Sequence, residues 1–301
     1  MAKGYQTAGD VLVNQTADGI DLNTVFAEIQ SALSIWNSER ASISSLLAFR
    51  TTTMGDAIPQ GATAQFSQAS EFGVGTAIPA PTGIRCGYTF DDWDARQAWT
   101  WKFARDATAA QIKALANTAF EADNRLTTTS VLKRLFDPTE EVNEFGVPCY
   151  GIFNADGMVP HPALGKTFSG SLTHALTTGS TTLDSSDVAG LAKKVTDQNF
   201  GTTPGSKLLL LLNPAQEGVF AWRAGEVSAN SQVSPWTFIP SANAPAYIQE
   251  GTLVGERAPS EWNGVAVAGS LGPMWVLVSN FIPAGYVAVV ASSGLNSSRN
   301  V

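Results

Sequence analysis

Two cysteines and two histidines in 301 residues leave little material for redox or metal chemistry. Cys86 and Cys149 cannot build a disulfide framework. His161 and His174 lie in separate segments, with no H-E-x-x-H and no paired cysteine spacing around them. Charge is sparse as well: 15% of residues, with 26 acidic against 18 basic, for a formal net charge of −8. A nucleic-acid binder ordinarily presents a basic face, so this balance argues against a chain that grips DNA, though not against one that encloses it. No apolar run approaches the ~20 residues needed to cross a bilayer, so no membrane partner is expected. Met1–Asp10 has none of the marks of a signal peptide, which makes a cytoplasm the expected place of synthesis. Lysine is missing altogether between Lys3 and Lys102.

What is present is a chain with 44% hydrophobic residues, long enough to bury a sizeable core as one large domain or two ordinary ones. Its most regular stretch, Thr108–Phe136, predicts one long helix. Ile112, Leu115, Ala116, Ala119 and Leu126 recur at helical spacing, and Val131, Leu132 and Leu135 extend the apolar side. Asp106 and Thr108 are candidate N-caps. Asp137-Pro138 stops the helix, because proline cannot donate to a continuing ladder. Thr127-Thr128-Thr129 is its weak point, since branched side chains lower helix propensity.

Before this helix the chain reads as arms. Met1–Ala17 has no periodicity. Asp21–Leu47 carries a helical stripe (Leu22, Val25, Phe26, Ile29, Leu33, Trp36, Ile43, Leu47) that either folds onto its own core or packs on a neighbouring subunit. Arg50–Arg85 is small, polar and Gly/Pro-punctuated, with β-capable pieces about a Gly/Ser-rich tip. Loops longer than ~12–15 residues without a core of their own are usually functional or disordered, and a lone hairpin is only marginally stable in water, so this excursion needs another surface to lie on. Arg85–Phe90 and Gln97–Phe103 alternate and predict two strands about the acidic turn Asp91–Asp94. After Pro138 come short strands near Val147–Phe153, a turn at Asn154–Gly157, a helix at Ser185–Asn199 capped from Asp184–Ser186, and a strand at Lys207–Leu212 buried on both faces. Ala221–Gln249 reads as irregular. Leu253–Arg257, Val265–Ala268, Trp275–Val278 and Tyr286–Ala291 close the chain as strands.

Motifs of chemistry are poor. Gly201–Lys207 (GTTPGSK) is one residue short of a phosphate loop and follows a helix into a strand, the reverse of the order that points amides and helix dipole at a phosphate. Asn154-Ala155-Asp156-Gly157 lacks the later carboxylate of a calcium loop. Asp91, Asp92 and Asp94 sit in a tight turn. No G-x-S-x-G elbow occurs. The expectation is therefore no catalytic, cofactor-binding or metal residues, and no enzyme, with a site assembled from scattered residues of Asp184–Gln249 as the competing reading.

Three stretches carry a family resemblance by their order and spacing: YTFDDWDARQAWTWKFARDATAAQI (Tyr88–Ile112), FNADGMVPHPALGKTF (Phe153–Phe168) and IPAGYVAVVASSGLNSSRNV (Ile282–Val301). Over most of its length the chain resembles the major capsid proteins of tailed bacteriophages with the HK97-type fold, especially those from phages of actinobacterial hosts. The resemblance implies an α+β fold with residues 1–49 as an N-terminal arm, 50–103 as the extended loop and its return strand, 104–183 as a peripheral domain with a spine helix, 184–250 as an axial domain, and 251–301 as strands returning to the core. It implies a non-enzymatic subunit that assembles with itself into hexamers and pentamers of an icosahedral head, in the host bacterial cytoplasm, around double-stranded DNA contacted without sequence specificity. Separate scaffolding, portal and decoration proteins are the implied partners. A nanocompartment shell enclosing protein cargo shares the fold and is the nearest alternative; a tail or other virion component is another. Phe66, Glu71 and Phe72 on the loop and Leu33 and Trp36 on the arm helix are the candidate subunit-interface residues, because none has an obvious local partner.

Some members of that fold crosslink a loop lysine to a neighbour's asparagine. With no lysine from residue 4 to 101, mature particles of this protein are expected to run as a single monomer band on a denaturing gel. A covalent ladder would contradict this.

Overall fold

The computed structural model describes residues 15–39, 43–60, 68, 71, 73, 77, 82–98, 100–160, 162–163, 165–242 and 257–300. In chain order these form helices α1 (Leu22–Glu39) and α2 (Ile43–Leu47), strands β1 (Gly55–Gln60) and β2 (Thr82–Gly87), helices α3 (Trp101–Asp106) and α4 (Ala109–Phe136), and strands β3 (Glu141–Val142) and β4 (Pro148–Cys149). Then come helix α5 (Ser185–Asp197), strand β5 (Lys207–Leu212), a 3-10 helix (Pro214–Ala221), and strands β6 (Val227–Ala229), β7 (Gln232–Val233), β8 (Phe238–Pro240), β9 (Glu261–Trp262), β10 (Val265–Ala266), β11 (Gly269–Leu271), β12 (Met274–Val278) and β13 (Val287–Ser292). The chain divides into two compact units: residues 1–40 with 91–127, and residues 41–90 with 128–301.

In the first unit, α1 lays Val25, Leu22 and Ile29 against Ala107, Ala109 and Ile112. The start of α4 is doubly satisfied. Thr108 Oγ1 accepts the Gln111 amide (3.3 Å) while the Gln111 side chain accepts the Thr108 amide (2.9 Å), a reciprocal cap of the S/T-x-x-Q type. The Asp18 carboxylate takes the next amide, from Ala109 (3.2 Å), and also accepts the Thr16 hydroxyl. Thr108 is thus the cap the sequence predicts. Asp106 instead belongs to α3, and α3 is itself a correction: the alternating run Gln97–Phe103 is no strand. Thr100 caps a helical turn by accepting the Phe103 amide, and 88–98 carry no ladder. Short aromatic runs fit either period, and the cap decides. Trp99 lies outside the described residues.

The second unit is built on a five-stranded sheet of order β13-β5-β12-β11-β8, with β5 parallel to β12 and antiparallel to β13. Successive side chains of a strand point to opposite faces, and β5 buries both. Leu208, Leu210 and Leu212 join Val188 and Ala192 of α5 with Trp222 and Phe238. Leu209 and Leu211 join Leu46 of α2, Leu132 of α4, Leu277 and Ile282. Helix α5 begins as predicted: the Asp184 side chain accepts the Ser186 and Asp187 amides, and Asp187 returns a bond to the Asp184 amide.

Segment 221–242, expected to be irregular, contains a hairpin, β6–β7, turned by Asn230 and Ser231 at φ 51° and 62°, and the edge strand β8. The turn type explains it: two adjacent positive-φ residues make the tight turn whose twist suits antiparallel strands. Asn263-Gly264, at φ 52° and 77°, does the same between β9 and β10. Of the predicted strand Leu253–Arg257, only Arg257 is among the described residues; its Nε donates to the Pro240 carbonyl (2.8 Å). Residues beyond β13 fold over α2. Ser292 Oγ donates to Leu46 O (2.5 Å), the Asn296 amide to Ser45 O (2.7 Å), and Asn300 brackets the turn by accepting from Ser293 and donating to Gly294 O.

Truncating Leu210 to Ala is expected to reduce unfolding free energy by about 2–5 kcal/mol. Leu33→Ala, on a helix flank 43% exposed, should cost less than about 1 kcal/mol. Urea titration of the subunit measures both, and equal effects would contradict the two-faced burial of β5.

Candidate functional site

Among the described residues the groups suited to chemistry do not converge. Among the described residues no three His, Cys, Asp or Glu gather as a metal site would require. His161 lies outside the described residues. His174 is wedged against α5: its ring meets Phe153 edge-on at 5.3 Å, its Nε2 lies 3.2 Å from Gln198 Nε2, and the neighbouring Thr173 carbonyl receives Lys194 Nζ (2.8 Å). Burial first, and the Lys194 charge second, hold its pKa below the usual 6.5. Burial, then nearby Cys86, raises the Cys149 thiol, which keeps it protonated and unreactive at neutral pH. Asp91, Asp92 and Asp94 are exposed. Gly201–Lys207 is a helix-to-strand turn: Gly201 (φ 74°) lies over the Leu208 side chain and Lys207 opens β5 with its ammonium 4.8 Å above the Trp275 ring. At Asn154–Gly157 Asp156 accepts the Met158 amide, closing a turn.

What the structure does assemble are surfaces. Strands β1 and β2 pair through six residues each, Gly55↔Gly87 to Gln60↔Thr82, as a sheet of two strands. Its base is fastened to the β3–β4 hairpin by Asn143, which is 5% exposed. Asn143 Nδ2 donates to Met54 O and Tyr88 O (3.4 Å each), and its Oδ1 accepts the amides of Phe145 (3.0 Å) and Val147 (2.9 Å). Gly87 permits this approach: a Cβ there would lie 2.8 Å from Asn143 Nδ2 and 3.0 Å from Val147 O.

The predicted interface residues fare unevenly. Phe66 and Phe72 lie outside the described residues, and Glu71 is exposed. Leu33 and Phe26 are 43% and 44% exposed beside the buried seam of α1, so the apolar stripe of this helix is wider than α4 covers. Trp36 does have a partner within the chain, contrary to the premise on which it was chosen. Its ring stacks on Phe120 at 5.6 Å and its Nε1 donates to Asp123 (3.3 Å). A residue 87 positions away is not visible to local pattern reading. Also exposed are Trp93, Val142 and Phe145. Asn143 was missed too, though its sequence signal exists: N-x-x-G before a short strand is turn chemistry.

No protein-family model matches the chain, and no curated protein matches it. Among solved structures, a protein of Mycobacterium phage Patience is similar, with a TM-score of 0.68 and 27% sequence identity over 97% of this chain and 78% of that one. The mixed helix-and-sheet architecture is thus shared with a phage protein. In the described residues no helix is long and apolar enough to cross a membrane.

Because the folded pKa of His174 lies below the unfolded one, its contribution to stability is complete above about pH 6.5 and is lost as pH falls through that value toward the folded pKa. His174→Gln, which cannot titrate, is expected to show a shallower loss of stability between pH 7.5 and 5 than the wild type in parallel urea titrations. Superimposable pH profiles would count against it.

Proposed function

We propose that the chain is a non-enzymatic structural subunit, the major capsid protein of a tailed bacteriophage with the HK97-type fold. On this reading it assembles with itself, as hexamers and pentamers, into an icosahedral head around double-stranded DNA. The observation that carries the reading is the similarity to a mycobacteriophage protein along 97% of this chain. The physical features agree with it. A two-stranded ladder is marginal alone in water and gains its missing contacts by lying on an adjacent copy. The flank of α1 at Leu33, 43% exposed, offers apolar area to a neighbour. Contacts that repeat head-to-tail close into rings, and curved sets of such rings close into shells. An acidic chain encloses DNA without gripping it, since the affinity of DNA-binding proteins rests largely on neutralised phosphates.

The protein then belongs to the virion capsid, is assembled in the cytoplasm of the host bacterium, and works with separate scaffolding, portal and decoration proteins. Without a loop lysine, the shell is held by loop, arm and axial contacts or by an added cementing protein.

Native mass and negative-stain microscopy test this directly. Closed megadalton shells or capsomer rings are expected, with DNA as the contents of particles from infected cells. Protein cargo inside would instead make the chain a nanocompartment shell. A monomer that persists even with the scaffolding protein supplied would overturn the reading.

A further inference from the structure

We propose that Asn143 is the latch that sets the direction of the β1–β2 hairpin, a positioning residue on which assembly depends; the assignment rests on the shell reading above. Among the described residues the ladder has two strands and no sheet around it, so its orientation is decided where its base meets the rest of the second unit. There the Tyr88 amide donates to Met54 O (3.1 Å), the last backbone bond across the base, and Asn143 Nδ2 reaches both of the carbonyls on either side, Met54 O and Tyr88 O. One amide group therefore spans the outgoing and the returning chain. Its other end is equally fixed. Asn143 Oδ1 holds the Phe145 and Val147 amides, while the Asn143 amide donates to Val147 O (3.0 Å) and its carbonyl accepts from Gly146 (3.0 Å). The side chain is buried, so each bond lost leaves a polar group without solvent to replace it. The missing Cβ of Gly87 lets the two hairpins come this close.

The division of labour inside one side chain makes the proposal separable from plain stability. Aspartate at 143 keeps the acceptor for Phe145 and Val147, and with it the β3–β4 turn, but loses the donor to Met54 and Tyr88 and faces those carbonyls with negative charge. Gly87→Ala wedges the same junction from the other side while leaving all four bonds chemically possible.

The experiment compares wild type, Asn143→Asp and Gly87→Ala by hydrogen–deuterium exchange of the subunit and by the yield of closed shells. In both variants the Tyr88 amide and the β1–β2 ladder are expected to exchange at least tenfold faster, the amides of β5 and β12 at the wild-type rate, and shell yield to fall at least tenfold. Unchanged ladder exchange in Asn143→Asp would show that the latch does not exist. Faster exchange with wild-type shell yield would show that the latch does not govern assembly. A wild type that never forms shells removes the functional reading and the assembly role with it, and the exchange data then distinguish that failure from an absent latch.

Discussion

The sheet of the second unit depends on burying five consecutive leucines from both sides. A strand that is apolar on alternate residues needs one covering layer; Leu208–Leu212 need two. The even-numbered leucines take α5, Trp222 and Phe238, and the odd-numbered ones take α2 and the last turns of α4. This demand also sets the topology. The parallel pairing of β5 with β12 cannot be made by a tight turn, so the 3-10 helix, the β6–β7 hairpin, β8 and β11 are all threaded between two strands that end up side by side. Gly272 illustrates how little slack is left: it sits at φ 56° under the Trp236 ring, where a methyl group would come within 2.6 Å of ring carbons.

How much of this was legible in the sequence depended on the reach of the deciding contact. Helix α4, helix α5 with its Asp184 cap, and the leucine strand were readable because period, cap and stop lie within a few residues of each other. The alternation of Trp99, Trp101 and Phe103 fits a strand, while the hydroxyl of Thr100, which accepts the Phe103 amide, favours a helical turn. Of β6, β7, β9 and β10 only β10, within Val265–Ala268, is a strand predicted from the sequence, although Asn230-Ser231 and Asn263-Gly264 carry the turn chemistry. The partner of Trp36, and the role of Asn143 between chain segments 89 and 55 residues away, are set by tertiary packing that no local window contains. Trp36, a candidate surface residue for want of a local partner, has one in Phe120.

The same contrast separates the parts of the molecule by what stabilises them. The central strands of the sheet satisfy their backbone on both sides and bury both faces. Among the described residues the β1–β2 ladder satisfies its backbone across one strand pair, and α1 lays Leu22, Val25 and Ile29 in its seam with Leu33 43% exposed beside it. Elements of this kind hold lower local stability than a sheet buried on both faces.

The fold of residues 292–300 over α2 also has a bearing on the order of events during translation. Ser292 and Leu46, joined by a hydrogen bond, are separated by 246 residues, so α2 emerges from the ribosome long before the segment that closes over its carbonyls exists. The carbonyls of Ser45 and Leu46 thus gain the bonds from Asn296 and Ser292 only after the sheet that α2 covers has been synthesised.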